Sequence, residues 1–387
     1  MFVKRLLLIA AAALAGCTAK APLSVEVVRS EMARNPEASF IDGQQGSLKW
    51  NYTTGLELKA MLDATSDALD YVDAWYDAII DSAGTIYKYK RTNYSTDHIC
   101  PGRTLFQLYD ITGKEKYRVA MDTLYSQIQS QPRTAEGGFW HKKIYPDQMW
   151  LDGLYMAQPF YAEYTVRYVT DSLQREANFK DIAHQFQLVY DQTYDPATGL
   201  LRHAWDSSRK MFWCDAETGQ SAHAWGRAMG WYAMALVDVT EILPVGEPKD
   251  TLIALLNSVL ESVLLFADKE TGMWYQVMDS PYRDGNYQEA TCSAMLVYAM
   301  LKGCRLGILK GVRQADAAAR YEDLLKTFVR VDENGLVNLD SCCEVAGLGG
   351  KGNRSGDYDY YINEPVRSND PKGIGPLIWA ALEYERI

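Results

Sequence analysis

Six times along this chain, a polar or glycine-bearing loop with an aromatic or a histidine runs into a helix of small and apolar residues. The starts are Trp50-Asn-Tyr-Thr-Thr-Gly55, Asp97-His-Ile-Cys-Pro-Gly102, Met149-Trp-Leu-Asp-Gly-Leu-Tyr155, Trp225-Gly-Arg-Ala-Met-Gly-Trp-Tyr232, Tyr287-Gln-Glu-Ala-Thr-Cys292 and Gly373-Ile-Gly-Pro-Leu-Ile378. They stand about 50 to 90 residues apart, and amphipathic stretches with charged faces fill the intervals at 115–128, 179–190, 249–266 and 312–329. A helix that is apolar all round has to be enclosed, and an amphipathic one can do the enclosing. Six of the first kind alternating with the second predict an all-α, double-ringed (α/α)6 barrel, in which no hairpin buries its own apolar face alone. Strand-like alternation is scarce. A stack of helical repeats would need a fixed period of roughly 34 residues, and none is present. The ring spans residues 41–387 as one domain, larger than a simple core supports. Its loops enter the inner helices from one end, which brings Asp97, His98, Asp152, Arg227 and Glu289 toward a common cavity.

The termini and composition narrow the setting. Met1-Phe-Val-Lys-Arg5 is a basic leader, residues 6–15 are apolar, and Leu14-Ala-Gly-Cys17 follows. This is the layout of a secretory signal over residues 1–16. Its ending resembles a bacterial lipobox, with Cys17 as the lipidated first residue and 17–40 as lipidated terminus and tether. Such a chain is attached to a membrane without spanning it. Thr18-Ala-Lys-Ala21 carries no acidic run, which favours a cell-envelope lipoprotein facing the periplasm. The net charge of −11 argues against a nucleic-acid partner. It leaves an anionic small substrate open, since local cations dominate inside a cleft. The later cysteines are scattered and imply no disulfide framework, and without CxxC or HExxH neither a metal nor a cofactor is expected. The glycine-rich stretch 347–356 lacks the phosphate-loop order and reads as a rim loop.

From Met149 to Tyr161 the chain is apolar except for Gln158 and Asp152. A buried carboxyl either finds a partner or keeps its proton. Asp152 is therefore a general acid with a raised pKa, or a structural group capping or pairing a neighbour. Asp147 reads as the N-cap of that helix. His141 and Lys142 fall in the loop before it, at the rim of the cavity or in a solvated basic loop. Arg227 and Trp231 share a helix face, and Arg227 is a carboxylate clamp or half of a buried ion pair. Asp97 fits a cap, and His203 lies in a turn-rich loop. His184 reads as a surface residue. The 26 tyrosines and 10 tryptophans suit either a sugar-binding cleft or a large core.

Together these segments resemble glycoside hydrolase family 105, the unsaturated rhamnogalacturonyl hydrolases, and more distantly the unsaturated glucuronyl hydrolases of family 88. The matching motifs are Trp50-x-Tyr52, Asp97-His98, His141-Lys142, Met149-Trp-Leu-Asp-Gly-Leu-Tyr-Met156 and His203-Ala-Trp-Asp206. Trp225-Gly-Arg-x-x-Gly-Trp231, Glu289-x-Thr291, Tyr360-Tyr361, Asn369-Asp370 and Gly373-x-Gly375 complete the set, over about residues 45–387. The resemblance implies removal of a 4,5-unsaturated uronic acid from the non-reducing end of lyase-generated oligosaccharides, by hydration of a vinyl ether. It implies Asp152 as proton donor and Asp97 as an assisting carboxylate that raises the pKa of Asp152. Tyr52, His98, His141, Lys142, Trp150, His203, Trp225, Arg227 and Trp231 would bind substrate. The alternatives are another (α/α)6 sugar enzyme, an epimerase or an inverting glycosidase, and a glycan-binding lipoprotein without catalysis.

Overall fold

A helix follows each of the six loops. In chain order the computed structural model, which describes residues 21–387, has α1 (Leu23–Arg34), α2 (Tyr52–Ala64), α3 (Leu69–Ile79), α4 (Arg103–Thr112), α5 (Glu115–Gln129), α6 (Leu151–Tyr168) and α7 (Ser172–Thr193). Then come α8 (Gly226–Ile242), α9 (Glu247–Leu265), α10 (Ala290–Arg305), α11 (Gln314–Phe328), the short α12 (Tyr358–Ile362) and α13 (Pro371–Tyr384). The inner ring runs α2, α4, α6, α8, α10, α13 and closes on α2, while α3, α5, α7, α9, α11 and α1 pack outside their partners. The expected (α/α)6 barrel is the observed fold. At the second position the ring is filled mainly by the tight turns at Thr96–His98 and Cys100–Gly102 that lead into α4.

Side-chain size sets the ring's closeness. A Cβ on Gly226 would lie 2.7 Å from the Tyr275 carbonyl, and one on Gly230 would lie 2.8 Å from Met295 Cβ, so α8 and α10 approach through these glycines. The outer helices bury one stripe, as Tyr117, Ala120, Met121, Leu124 and Ile128 do on α5. Among the described residues no helix is long and apolar enough to cross a membrane.

Two expectations need correction. Residues 17–40 were assigned to a tether, but Leu23–Arg34 is a helix whose Val27 and Val28 are buried against the core, and it supplies the outer partner of α13. The leader and Cys17 lie outside the described residues. Asp147 is not an N-cap: it sits in a turn with φ 61°, and α6 begins after Trp150 with no side-chain cap. A short antiparallel ladder directs the entry to α6 instead. It pairs β1 (Gln148–Trp150) with β2 (Ala204–Asp206), and Leu151 N–H donates to the His203 carbonyl at 3.1 Å. Two further ribbons, β3 (Val329–Val331) with β4 (Val337–Leu339) and β5 (Cys342–Cys343) with β6 (Val366–Arg367), hold the last loops.

Toward the C-terminal ends of α8 and α10 lies a buried polar knot. Arg103 donates to Asp238 at 2.9 Å and to the Tyr155 hydroxyl at 2.7 Å; Lys302 and Tyr298 reach the other Asp238 oxygen at 2.8 and 2.6 Å. Burial pushes the Asp238 carboxyl up, but Lys302 and Arg103 outweigh it and hold the group down at about 2. Removing one member of such a cluster strands the others' charge. Asp238→Ala is therefore expected to lower unfolding free energy by about 3 kcal/mol or more in urea titrations. A loss below about 1 kcal/mol would mean that Arg103 and Lys302 find other partners.

Candidate active site

The β1–β2 ladder sets the centre of the site, because it holds His203 against the first turn of α6. His203 is fully buried, and its Nε2 lies 3.3 Å from Asp152 Oδ2. Neither atom has a well-aligned hydrogen bond in the protein, so the contact is close but out of line. The other ring nitrogen, Nδ1, lies 2.7 Å from the Tyr361 hydroxyl. Asp152 is 14% exposed, enough for a small group to reach it. The raised pKa expected for Asp152 is not found. Burial pushes its carboxyl up, yet the adjacent His203, with a smaller contribution from His141, holds it below the usual range. The charge of Asp97 is not among the main influences on it.

Asp97 faces the same space from the turn before α4. It is a hydrogen-bonded ion-pair partner of Lys142, and His141 Nε2 lies 3.6 Å away, so it is not the cap its sequence suggested. Burial raises its pKa, but Lys142 and His141 overcome that and lower it. His141 is 3% exposed, part of the wall and not of the rim. It is locked by Thr96 Oγ1 at 3.1 Å and by stacking on Trp150 at 4.6 Å, with Tyr145 stacked behind. Burial drives the imidazole down to about 4, so it is neutral at pH 7.

The third wall is Arg227 in the first turn of α8. Its guanidinium is 1% exposed, donates to the Cys343 carbonyl at 2.6 Å, and lies 4.7 Å from the Trp225 ring centre. Its Nε has no partner, and it forms no ion pair among the described residues. Burial disfavours the charge, but the surrounding acids and the Cys343 thiol keep its pKa raised. Of the two readings of Arg227, the buried ion pair is therefore absent. Tyr52, at the start of α2, lies within electrostatic reach of Asp97, Arg227 and Asp152. Its ring packs edge-on against Trp231 at 6.3 Å, and Trp231 meets Tyr155 at 4.7 Å, forming the floor. The opening is a cleft of about 440 Å³ lined in part by Trp50, Tyr52, Asp97, His98 and Lys142.

Asp97, His98, Tyr52, His141, Lys142, Asp152, His203 and Arg227 are thus brought together. Trp150, Trp225 and Trp231 are at most 5% exposed, so they brace the wall from behind and offer no open face. Glu289 does not join the cavity: it caps α10 through Cys292 N–H at 2.6 Å and accepts from Cys343 N–H at 2.9 Å. His184 is a surface residue, bonded to the Glu136 carbonyl at 2.8 Å. The 347–356 stretch is held over Tyr145 by Arg354, which donates to that hydroxyl at 3.0 Å. Sequence reasoning missed Thr96 and gave Tyr361 no role, although the Tyr360-Tyr361 pair was visible. Among the described residues no group of His, Cys, Asp or Glu is placed to hold a metal ion.

Comparison with known proteins agrees with this geometry. The model of Glycosyl Hydrolase Family 88 matches residues 23–387. A solved family 105 glycoside hydrolase of C. acetobutylicum superposes with a TM-score of 0.88 at 42% identity, over 95% of this chain and 100% of that one. The 24.9 kDa protein in the picA locus of Rhizobium radiobacter is 39% identical over 234 residues, 59% of this chain and 97% of that protein. The unsaturated rhamnogalacturonyl hydrolase YesR of Bacillus subtilis is 29% identical over 219 residues, 55% of this chain and 59% of that protein.

A neutral buried His141 has a cost in acid. Its folded pKa lies below that of a free imidazole, so the unfolded chain binds more protons between about pH 4 and 6.5, and stability falls as pH drops through that window. Urea midpoints at pH 4.5 and 7 should show His141→Gln losing about 2 kcal/mol less than wild type over the interval. Equal losses in the two proteins would refute a neutral, buried His141.

Proposed function

The chain belongs to glycosyl hydrolase family 88, and from that premise we propose that it releases a 4,5-unsaturated uronic acid from the non-reducing end of oligosaccharides left by polysaccharide lyases, with unsaturated rhamnogalacturonyl substrates the leading candidates. As a member of that family the chain is a glycosidase. One observation carries the assignment of substrate: a buried guanidinium with no ion-pair partner among the described residues and a carboxylate oxygen with no aligned donor both lie within electrostatic reach of Tyr52. Such a guanidinium calls for an anion. A uronate carboxylate on Arg227 supplies it, with the sugar ring above Tyr52 and its C4=C5 edge toward Asp152.

The chemistry is addition of water to a vinyl ether. Asp152 protonates C4, the C5 cation takes a water, and the water's proton returns to Asp152. The resulting hemiketal opens to a C5 ketone, and the leaving sugar departs from C1 as an alcohol. In the free site Asp152 is ionised, so the reaction requires the His203–Asp152 pair to hold one further proton. The arriving carboxylate and the loss of water both move that proton onto Asp152. Asp97 cannot act as a second free carboxylate, because Lys142 and His141 occupy it. A single carboxyl acting as acid and then base fits that arrangement better than the paired carboxylates of ordinary glycosidases.

Membrane attachment through Cys17, facing the periplasm, remains part of the proposal and rests on the leader sequence alone. Cys17→Ser should move the protein from the membrane to the soluble fraction, and an unchanged distribution would remove the anchor from the proposal.

Asp152→Asn is expected to fold normally and to lose about 10²–10⁴-fold in kcat on unsaturated disaccharides, followed by the absorbance of the double bond. Turnover at the wild-type rate would eliminate Asp152 as the proton donor. Tyr361→Phe tests the neighbouring group differently. Without the hydroxyl at His203 Nδ1 the hydrogen bond that orients the imidazole is lost, so the alkaline limb of kcat/KM should move. A uniform loss of rate with an unmoved limb would make Tyr361 merely structural.

A further inference from the structure

The mouth of the cleft has an electrostatic character opposite to that of the whole chain. The protein carries a net charge of −11, yet the cleft is bordered by Lys49, Lys142 and Lys143, with Asp97 the only carboxylate in its lining. Asp97 and Lys142 neutralise each other. Lys49 and Lys143 are exposed and form no ion pair among the described residues. Lys143 is fixed at its backbone, where its N–H donates to the Asn93 carbonyl at 3.2 Å. Lys49 precedes Trp50, whose indole donates to the His98 carbonyl at 2.8 Å. Both ammonium groups therefore hang from anchored backbone on the same opening. Of the two acids in the adjoining groove, Asp42 is taken by Arg367, which leaves Glu344 as the one carboxylate there without an ion pair among the described residues.

The two cationic positions lie at different depths. Arg227 is buried, within electrostatic reach of Tyr52 as Asp152 is, and in the proposed function serves the terminal sugar, whereas Lys49 and Lys143 stand where the rest of the substrate leaves the site. Resting on the proposed release of a 4,5-unsaturated uronic acid, but not on the rhamnogalacturonyl candidates, we propose that the cleft mouth is a subsite for an anionic leaving sugar, one that carries a carboxylate or a sulfate ester, bound by Lys49 and Lys143. A neutral leaving sugar leaves both cations unused. An anionic one gains their attraction where the net negative charge of the protein would otherwise repel it. Being at the solvent edge, the effect is screened by salt.

The test uses the double variant Lys49→Gln/Lys143→Gln and four unsaturated disaccharides in two matched pairs. One pair is chondroitin disaccharide with and without a sulfate on the hexosamine. The other is the disaccharide of polygalacturonate, with an acidic leaving sugar, and that of rhamnogalacturonan, with neutral rhamnose. The wild-type protein should favour the acidic member of at least one pair by roughly tenfold in kcat/KM at low salt, the scale of one or two edge charge pairs. Which pair responds identifies the anion. The ratio should fall toward unity in the double variant and, for wild type, in 0.5 M salt. Equal turnover of acidic and neutral members by wild type, or a preference that the double variant retains, overturns the subsite and leaves the proposed function standing. Consumption of none of the four overturns both.

Discussion

The register of the inner ring rests on the contact between Arg103 and Asp238. Arg103 comes from the start of α4, Asp238 from the last turns of α8, and the Tyr298 and Lys302 that complete the knot come from α10. Three inner helices are thereby fixed at one depth, and the second arm of Arg103 adds α6 through Tyr155. Tyr155 carries Trp231, which carries Tyr52, and this aromatic layer is the floor on which a substrate rests. A barrel lined only with apolar side chains would have no reason to keep these helices in one axial register. The knot supplies that reason, because the cost of stranding a buried charge forbids sliding.

Above the floor, the chain runs the same way through every inner helix, so the N-terminal ends of α2, α6, α8, α10 and α13 all face the cavity. Their dipoles favour negative charge there. The interior supplies three responses to that field. Glu289 and Asp370 are consumed as caps of α10 and α13. Asp97 is neutralised by Lys142. Of the acids around the site, Asp152 is the one that keeps a carboxylate oxygen with no aligned donor. The same field and the His203 imidazole explain why Asp152 is ionised in the empty site, against the expectation of a proton held by burial alone. Burial is the largest single influence on it, but several weaker ones of opposite sign add up to more.

The ring was legible in the sequence because it is written locally. Each inner helix announces itself by small apolar residues after a polar loop, and the structure puts two of those small residues, Gly226 and Gly230, where α8 meets α10. The site was legible where its residues open those helices, as Tyr52, Asp152 and Arg227 do. What stayed hidden depends on pairings across long stretches of chain. Nothing near His203 reveals that a three-residue ladder lays it on Asp152, and Tyr361 lies 158 residues from its partner. Asp97 reads as a cap until Lys142 is brought beside it. Residues 23–34 look like a polar tether because Ser, Glu and Arg are interleaved with their apolar positions, and only the uncovered outer face of α13 gives them a place.

These placements also decide how many groups can change charge during a reaction. His141 is neutral at pH 7 and held by Thr96 and Trp150, so it contributes shape and a hydrogen-bonding edge. Arg227 cannot lose its proton at any accessible pH. Asp97 could take up a proton only by giving up Lys142, which would leave a half-buried ammonium unpaired. What remains is the unit of Tyr361, His203 and Asp152, in which one proton can move between two adjacent groups without any net charge entering the cavity. A substrate carboxylate adds one negative charge beside that unit and one positive charge, on Arg227, already waits for it. The charge that the ligand brings and the uptake of a proton by the unit offset each other, so binding and proton transfer to Asp152 are coupled through the same electrostatics.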